Sequence, residues 1–299
     1  MTTGPIAMAV SISSSMPEIL PPRLHAACNR GRWRHRQRWS GRTGGVASVL
    51  LMFIVALVIV AWRQRKDSGP GMTLPLGALA VTLFLAVLGV LYGSPLLRPP
   101  VVMANLLGGM ALLGMLWWLY LSQHPGSTAD TSPGAERLRK WALLGLALVV
   151  AQTALGGWVS SNFSALACPT FPLCKGVLWP EMDIPAGFTL RHLLVVSPEG
   201  RVVVELAATL AVHMVHRLGA VLVLLFVAWL GYRALKLGGR TRSLGMVVFV
   251  LLGLQVLLGM AVVVFSAPLG VVVTHNATAA LLWLTLLALI HRLPQSRRH

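Results

Sequence analysis

The chain is dominated by long apolar runs, which short polar or basic segments separate. Each run approaches the roughly 20 residues that a helix needs to cross a hydrocarbon core about 30 Å thick. Because a bilayer offers no partners for unpaired backbone groups, each run is predicted to be a helix. The pattern therefore indicates an all-α integral membrane protein. The predicted spans are residues 46–62, 74–93, 101–122, 141–161, 205–232, 243–265 and 270–291.

The segments between these spans differ in character. Residues 1–45 are rich in arginine and contain no apolar run of spanning length. Three interpretations of them stay open: a disordered basic tail, an arm that binds RNA or lipid, or a stretch that is not native coding sequence. Residues 124–140 form a polar cytoplasmic linker and residues 293–299 a basic cytoplasmic tail. Segment 162–203 is the longest loop, and loops of this length are often functional.

Composition agrees with a membrane protein and changes how the charge is interpreted. Hydrophobic residues make up 56% of the chain and charged residues only 11%, against about 25% charged in soluble domains. An ordinary soluble enzyme and a disordered protein are thereby excluded. The net charge of +17 is not read as a sign of nucleic-acid binding, because the basic residues form clusters in every second loop.

Basic clusters of this kind are retained on the cytoplasmic side of a membrane. The long loop 162–203 and the two tight turns, at Gly93–Pro95 and Ser266–Pro268, then face outward. The cytoplasmic clusters are Arg63, Arg65, Lys66, Arg137, Arg139, Lys140, Arg233, Lys236, Arg240, Arg242, Arg292, Arg297 and Arg298.

An internal repeat divides the chain into two pseudo-repeated bundles. Moving the sequence by 170 residues aligns 46–120 with 216–290 without a gap and superimposes a basic cluster, a glycine and the hairpin turns. The first bundle, within residues 46–123, is expected to be incomplete. The counterpart of the helix at 141–161 would fall before residue 1, whereas residues 141–292 form a four-helix half.

Two histidines of the second half have no histidine at the aligned positions of the first half. His216 aligns with Val46, and His275 aligns with Asn105. His213, His216 and His275 all lie in predicted spans, where ionisable groups are costly and indicate function. A single buried histidine is more often structural, but two imidazoles on separate helices of a bundle can ligate a six-coordinate heme.

His213 and His216 share one helix face, so only one of them need be a ligand. Arg217 follows them inside the span, and two interpretations stay open for it. It pairs with a heme propionate, or it bonds a backbone carbonyl while its charge reaches toward the interface.

Cys168 and Cys174 lie in the outward loop, separated by five residues. They are close enough in sequence to close a ring, and an oxidising compartment favours a disulfide. A metal pair or a thiol-exchange site stays open, although no neighbouring His or Cys completes a zinc set.

These motifs together resemble the heme A synthase family (the CtaA type), membrane proteins of bacteria and mitochondria that convert heme O to heme A. The resemblance covers about residues 48–292, and its most specific parts are the cysteine loop and the His-Arg-Leu-Gly-Ala motif. It is carried by Leu155–Val159, Cys168-Pro169, Pro172–Cys174, His213–Ala220, Leu254–Gly259, Val272–Asn276, Leu106–Met110 and Leu116–Leu119.

The resemblance implies eight transmembrane helices in two four-helix halves. In the second half it implies a b-type heme between two histidines, which correspond to His216 and His275, and a cysteine pair corresponding to Cys168 and Cys174. The first half of the family is held to receive heme O, a methyl group of which is oxidised to a formyl group.

The substrate half of this chain departs from that pattern. The family's Glu-x-x-His positions correspond to Thr43 and Val46, and its fourth-helix histidine corresponds to Asn105. Oxidation of a methyl group needs an iron or a positioned base at the reacting carbon. No residue of this half is identified as catalytic, so activity of this exact chain is an open question.

The resemblance also implies a cellular setting. Heme b is the expected cofactor and heme O the expected substrate. The expected partners are the farnesyltransferase that produces heme O, the cytochrome oxidase assembly machinery and the lipid bilayer, with a homo-oligomer open. The expected location is the bacterial plasma membrane or the mitochondrial inner membrane.

Two other functions remain as hypotheses. The first is a non-catalytic membrane protein of the same fold that binds heme b. The second is a transporter built on the repeat, with the histidines as a proton relay. Against transport, the sequence has no intramembrane carboxylate pair, since Glu205 lies near the start of its span.

Overall fold

The computed structural model describes residues 45–64, 71–91, 98–124, 134–189, 194–196 and 202–294. Long helices account for most of them, which confirms the predicted all-α fold. The long helices are α1 (Gly45–Gln64), α2 (Thr73–Leu91), α3 (Arg98–Gln123), α4 (Ala135–Ser161), α6 (Leu206–Leu237), α7 (Gly239–Val264) and α8 (Leu269–Arg292). The connection from α4 to α6 contains a one-turn helix, α5 (Ile184–Gly187).

Each predicted span falls on one of these long helices. Six of them are long and apolar enough to cross a membrane, and the seventh, α2, has a shorter apolar stretch at Thr73–Gly89. Large apolar side chains on the outer faces of the helices are exposed, as at Met52 and Leu225, where lipid would cover them. The described part of the chain therefore has the helices of a multi-span membrane protein.

Several helices continue past the apolar run that predicted them. Helix α4 begins at Ala135, within the predicted linker 124–140, and α7 begins at Gly239. The added turns carry basic residues such as Arg137 and Arg240. Long basic side chains can extend their charges toward the interface, so a helix need not end where the apolar run ends. Residues 1–44, 125–133 and 295–299 lie outside the described residues, as does the turn at 93–95.

Helices α4, α6, α7 and α8 form a closed ring. Helix α4 packs against α6 and α8, and α7 packs against the same two helices. At the crossing of α6 and α7 the backbones meet, since a Cβ added at Gly245 would lie 2.8 Å from the carbonyl oxygen of Gly231. Small residues allow such close approach between membrane helices. The ring encloses the main core, which includes Val227, Leu230, Val248, Leu286 and Leu289.

Helices α1, α2 and α3 pack beside this ring. Ile54, Ala78 and Leu112, one from each helix, form a small buried cluster. Helix α3 contacts α4 and α8, and the indole nitrogen of Trp117 donates a hydrogen bond of 2.9 Å to the carbonyl oxygen of Leu284. When the repeat shift is applied, α1 falls within α6, α2 falls within α7, and α3 coincides with α8 to within one residue at each end.

The connection between α4 and α6 has structure of its own. A 3-10 turn at Ser164–Leu166 precedes α5, and strands β1 (Leu194–Val196) and β2 (Val202–Val204) form an antiparallel hairpin. The indole of Trp158 on α4 donates a hydrogen bond of 2.9 Å to the carbonyl oxygen of Gly187 in α5. The loop is therefore fastened to the outer end of the bundle.

Candidate heme site

His216 on α6 is held by two residues of α4. The amide nitrogen Nε2 of Gln152 lies 3.1 Å from His216 Nδ1 and donates a second bond of 2.9 Å to the His216 carbonyl oxygen. Gly156, one turn further along α4, leaves room for the ring, since a Cβ there would lie 3.3 Å from His216 Cε1. One polar and one small residue thus position this imidazole.

His275 on α8 is contacted by a glutamine and a glycine of α7, but the glutamine approaches the other ring nitrogen. Gln255 Nε2 lies 3.3 Å from His275 Nε2. A Cβ added at Gly259, again one turn further along, would lie 3.3 Å from His275 Cε1. Two equivalent units, each a glutamine, a glycine and a histidine, therefore lie within one closed bundle.

Several buried polar atoms at this site have no hydrogen-bond partner among the described residues. They are His275 Nδ1, Gln152 Oε1 and Gln255 Oε1. Leaving such a group unpaired costs about 1–3 kcal/mol, and most buried polar groups in proteins are satisfied. The His216 ring contacts Gln152 through Nδ1, whereas His275 has a buried Nδ1 without a partner among the described residues. Two imidazoles on separate helices fit the donor set of a six-coordinate heme.

His213 serves a different part of the molecule, although it lies one turn from His216. Its ring is buried, with Nε2 3.2 Å from Arg217 Nε and Nδ1 3.4 Å from the Cys168 backbone nitrogen. Both neighbours are donors, and a neutral imidazole has a single acceptor nitrogen. We therefore assign the hydrogen bond to the shorter contact, in which Arg217 Nε donates to His213 Nε2. His213 thus supports the outer loop, which leaves His216 as the candidate ligand on α6.

Arg217 connects α6 to the cysteine loop. Its Nη2 donates hydrogen bonds of 2.9 Å to the Cys168 carbonyl oxygen and 3.0 Å to that of Thr170, and the guanidinium lies over the Phe171 ring. Carbonyl bonding was one of the two interpretations of this arginine. Nη1 is buried and has no hydrogen-bond partner within the described ranges, so the side chain also retains a donor for an anionic group.

Cys168 and Cys174 form a disulfide, with their Cα atoms 4.8 Å apart. This confirms the predicted pairing. Both cysteines are buried and pack against Leu210 and Met214 of α6. The disulfide loop therefore lies on the amino-terminal half of α6, next to His213 and Arg217.

The described part of the first half has no equivalent of this site. Asn105, at the position of the family histidine, is exposed on α3. Leu85, which the repeat aligns with Gln255, packs against α3, where a Cβ added at Gly108 would lie 2.6 Å from its Cδ2 atom. Val46 is exposed on α1, and Thr43 lies outside the described residues. Helices α1, α2 and α3 contain no carboxylate side chain in their described portions.

Sequence reasoning missed the role of Gln152. A common spacing could have indicated this role. Gln152 and Gln255 are the glutamines of the second-half spans, and each precedes a glycine by four residues. Four residues place two side chains on one helix face. In the part of the chain that the structure describes, no cluster of three or more His, Cys, Asp or Glu side chains could hold a bare metal ion.

Fold and site together define a multi-pass helical membrane protein with a pair of histidines inside a four-helix bundle. The family model of the COX15-CtaA cytochrome oxidase assembly proteins matches residues 35–287, and the chain belongs to this family. It is 37% identical over 234 residues to the heme A synthase of Shewanella oneidensis, covering 78% of this chain and 70% of that protein. It is 26% identical over 269 residues to the heme A synthase of Nitrosospira multiformis, covering 87% and 71%.

Proposed function

We propose that the chain is a heme-binding membrane oxidoreductase of the heme A synthase type. His216 and His275 are the axial ligands of a heme b in the second half, and heme O is the substrate whose methyl group is oxidised to a formyl group. The observation that carries the heme site is the pair of equivalent glutamine–histidine contacts, which leaves one buried nitrogen of His275 without a partner.

The residues of this chain have separate tasks in the proposal. His216 and His275 hold the iron from two helices, and Arg217 Nη1 is the donor available to a propionate. The apolar core beneath the histidines keeps water out of the bundle. A heme b bound there would supply one-electron redox chemistry. The farnesyltransferase that makes heme O and the cytochrome oxidase assembly machinery are the partners that this function requires, and a homo-oligomer stays a prediction.

A second candidate function is a non-catalytic membrane protein that binds heme b. A specific observation favours it: Asn105 is exposed, and Leu85 packs against Gly108 where the second half has Gln255. In the half that receives substrate in the family, the ligand position therefore has no imidazole, and the position aligned with Gln255 has no amide. In this alternative the second half binds heme as above and the first half is structural.

Pigment analysis tests both candidates. The full chain is expressed with a heme O source, purified in detergent, and its extracted hemes are identified by mass. Heme A is expected if the oxidoreductase proposal is right, and heme B alone would overturn it in favour of the non-catalytic candidate. In the same preparations, His216→Ala and His275→Ala are each expected to lose the low-spin heme spectrum, because each removes an axial ligand.

His291→Ala is the matched control for these variants. His291 lies on α8 with His275, but its ring packs against Trp118 and has no place in the proposed site, so heme content should be unchanged. Full heme retention in both His216→Ala and His275→Ala would overturn the heme site itself, whichever pigment the wild-type chain contains.

A further inference from the structure

We propose that Gln152 and Gln255 are positioning residues that fix the two ligand histidines and set the spectrum and midpoint potential of the heme. The proposal rests on the proposed function, since it concerns the same site. It assigns to each ligand histidine a neutral side-chain amide on the preceding helix of the ring, Gln152 to His216 and Gln255 to His275.

The first argument is that the same arrangement occurs twice. On α4 and on α7, a glutamine approaches one ring nitrogen and the glycine four residues later lies against Cε1. The glycine approach is 3.3 Å in both cases. Each ring is therefore restrained on two sides by a single helix turn. A coincidental polar contact would not be expected to recur with the same spacing and the same glycine neighbour.

The second argument is that the Gln152 amide is itself fixed. It donates to the His216 carbonyl oxygen as well as approaching the ring. Gly219 lies beside it on α6, and a Cβ at that position would collide with Gln152 Oε1. An amide that is bonded to backbone and enclosed in this way has little freedom to leave the ring, which is what a positioning residue requires.

The third argument is chemical. An imidazole that binds a metal through one nitrogen carries its proton on the other, and this N–H is usually bonded to an acceptor. Gln152 Oε1 and Gln255 Oε1 are buried acceptors without a partner among the described residues. The nitrogen and oxygen of a side-chain amide exchange places by a half-turn, so each glutamine can accept from its histidine once the opposite nitrogen binds iron. For Gln152 this half-turn gives up the bond to the His216 carbonyl oxygen, while the side chain stays beside the ring. A neutral acceptor leaves the ligand a neutral imidazole.

The first half supplies an internal comparison. There the repeat replaces Gln255 by Leu85 and His275 by Asn105. Glutamine and histidine are thus absent together. Joint absence is expected if the amide serves the imidazole, whereas a glutamine needed only for helix packing would have no reason to be lost with it.

The experiment replaces the amide without changing its length. Gln152→Met and Gln255→Met each remove the hydrogen bond and keep an unbranched side chain. Both are expected to bind heme about 10- to 100-fold more weakly than the wild-type chain, the range found when such supporting partners are removed, and to show a shifted low-spin spectrum. Gln123→Met, at the exposed end of α3, is the matched control and should leave heme binding unchanged.

Gln152→Glu and Gln255→Glu provide the complementary measurement. A carboxylate accepts the imidazole proton more strongly than an amide, so these variants should retain heme but with a lower midpoint potential, because the oxidised iron is favoured. Both the optical spectrum and the potential are read from purified protein, without any assay of turnover. The Met variants add no charge, so a glutamine that served only helix packing would leave their potential unchanged, and an unchanged potential in the Glu variants would exclude any contact with the ligand.

The outcomes separate this inference from the function on which it rests. Met variants with wild-type heme affinity, spectrum and potential would overturn the positioning role, while loss of heme in the His216→Ala and His275→Ala variants would leave the heme site standing. Heme retained in both histidine variants would overturn the heme site as well. If the Met variants do not yield folded protein, the Glu variants decide, and an unchanged potential in both overturns the inference.

Discussion

At the scale of single residues, Arg217 is the contact on which the disulfide loop depends. It donates to two loop carbonyl oxygens and to His213. Arg217→Met removes all these bonds, so a membrane-impermeant phosphine should reduce the buried disulfide faster. The rate should rise about tenfold if the free energy that favours the closed loop falls by roughly 1.4 kcal/mol. Arg217→Lys keeps the charge but not the planar fork and should give an intermediate rate.

Arg233→Met is the control for this prediction, because Arg233 is exposed on the same helix. Its disulfide should be reduced at the wild-type rate. Equal rates in Arg217→Met and Arg233→Met would contradict the view that Arg217 holds the loop closed. The rates are followed by the thiols that become available for alkylation in purified protein.

The sequence alone identified the intramembrane histidines, because an ionisable side chain inside an apolar run stands out. Helix spacing could not decide between His213 and His216, since residues three apart share a helix face, and only the family resemblance indicated His216. Packing makes the distinction: the outer loop lies over His213, and α4 lies against His216. Gln152 was missed because an uncharged amide in a span is a weaker signal, and its meaning depends on a histidine in a different helix.

At the scale of elements, the apolar runs predicted every long helix that the structure describes, since spanning length and hydrophobicity determine them. The helix ends were less predictable. Helix α4 begins at Ala135 because basic residues permit a helix beyond the apolar run. Helix α5 and the hairpin of β1 and β2 were not predicted, because such short elements depend on contacts with the bundle, such as the bond from Trp158 to Gly187.

The crossing of α6 and α7 yields a prediction about stability. A Cβ at Gly245 would lie 2.8 Å from the Gly231 carbonyl oxygen and 3.0 Å from the Leu235 backbone nitrogen. Neither backbone atom can move aside cheaply, so Gly245→Ala should separate the helices and destabilise the protein by about 1–3 kcal/mol, as overpacking does. Thermal unfolding in detergent measures the effect.

Gly253 provides the comparison on the same helix. It is exposed, and a Cβ there would meet no atom within 4 Å. Gly253→Ala should leave stability unchanged or raise it by up to about 1 kcal/mol, because alanine favours helix over glycine. If both alanine variants unfold at the same temperature, the close approach of α6 and α7 does not limit stability.

At the scale of the whole molecule, the helices of the two halves correspond under the repeat, but the interiors of the halves differ. The second half closes into a ring and contains both histidine units. The described part of the first half packs around apolar residues and has an exposed Asn105. The repeat was visible in the sequence because loops and basic clusters keep their register. That the second-half histidines each have a matching glutamine could be seen only when α4 and α7 were placed beside them.

Orientation in the membrane is the remaining property of the whole chain that charge predicts. Basic residues near the ends of α6 and α7 are expected in the cytoplasm, and the disulfide loop outside. In a Cys28→Ser background, Glu181→Cys in the loop should react with a membrane-impermeant maleimide in intact cells, whereas Arg240→Cys should react only after permeabilisation. Both positions are exposed, and Cys168 and Cys174 are buried in their disulfide. The opposite labelling pattern would reverse the orientation. It would place the disulfide loop in the reducing cytoplasm, where a disulfide would not be expected to persist.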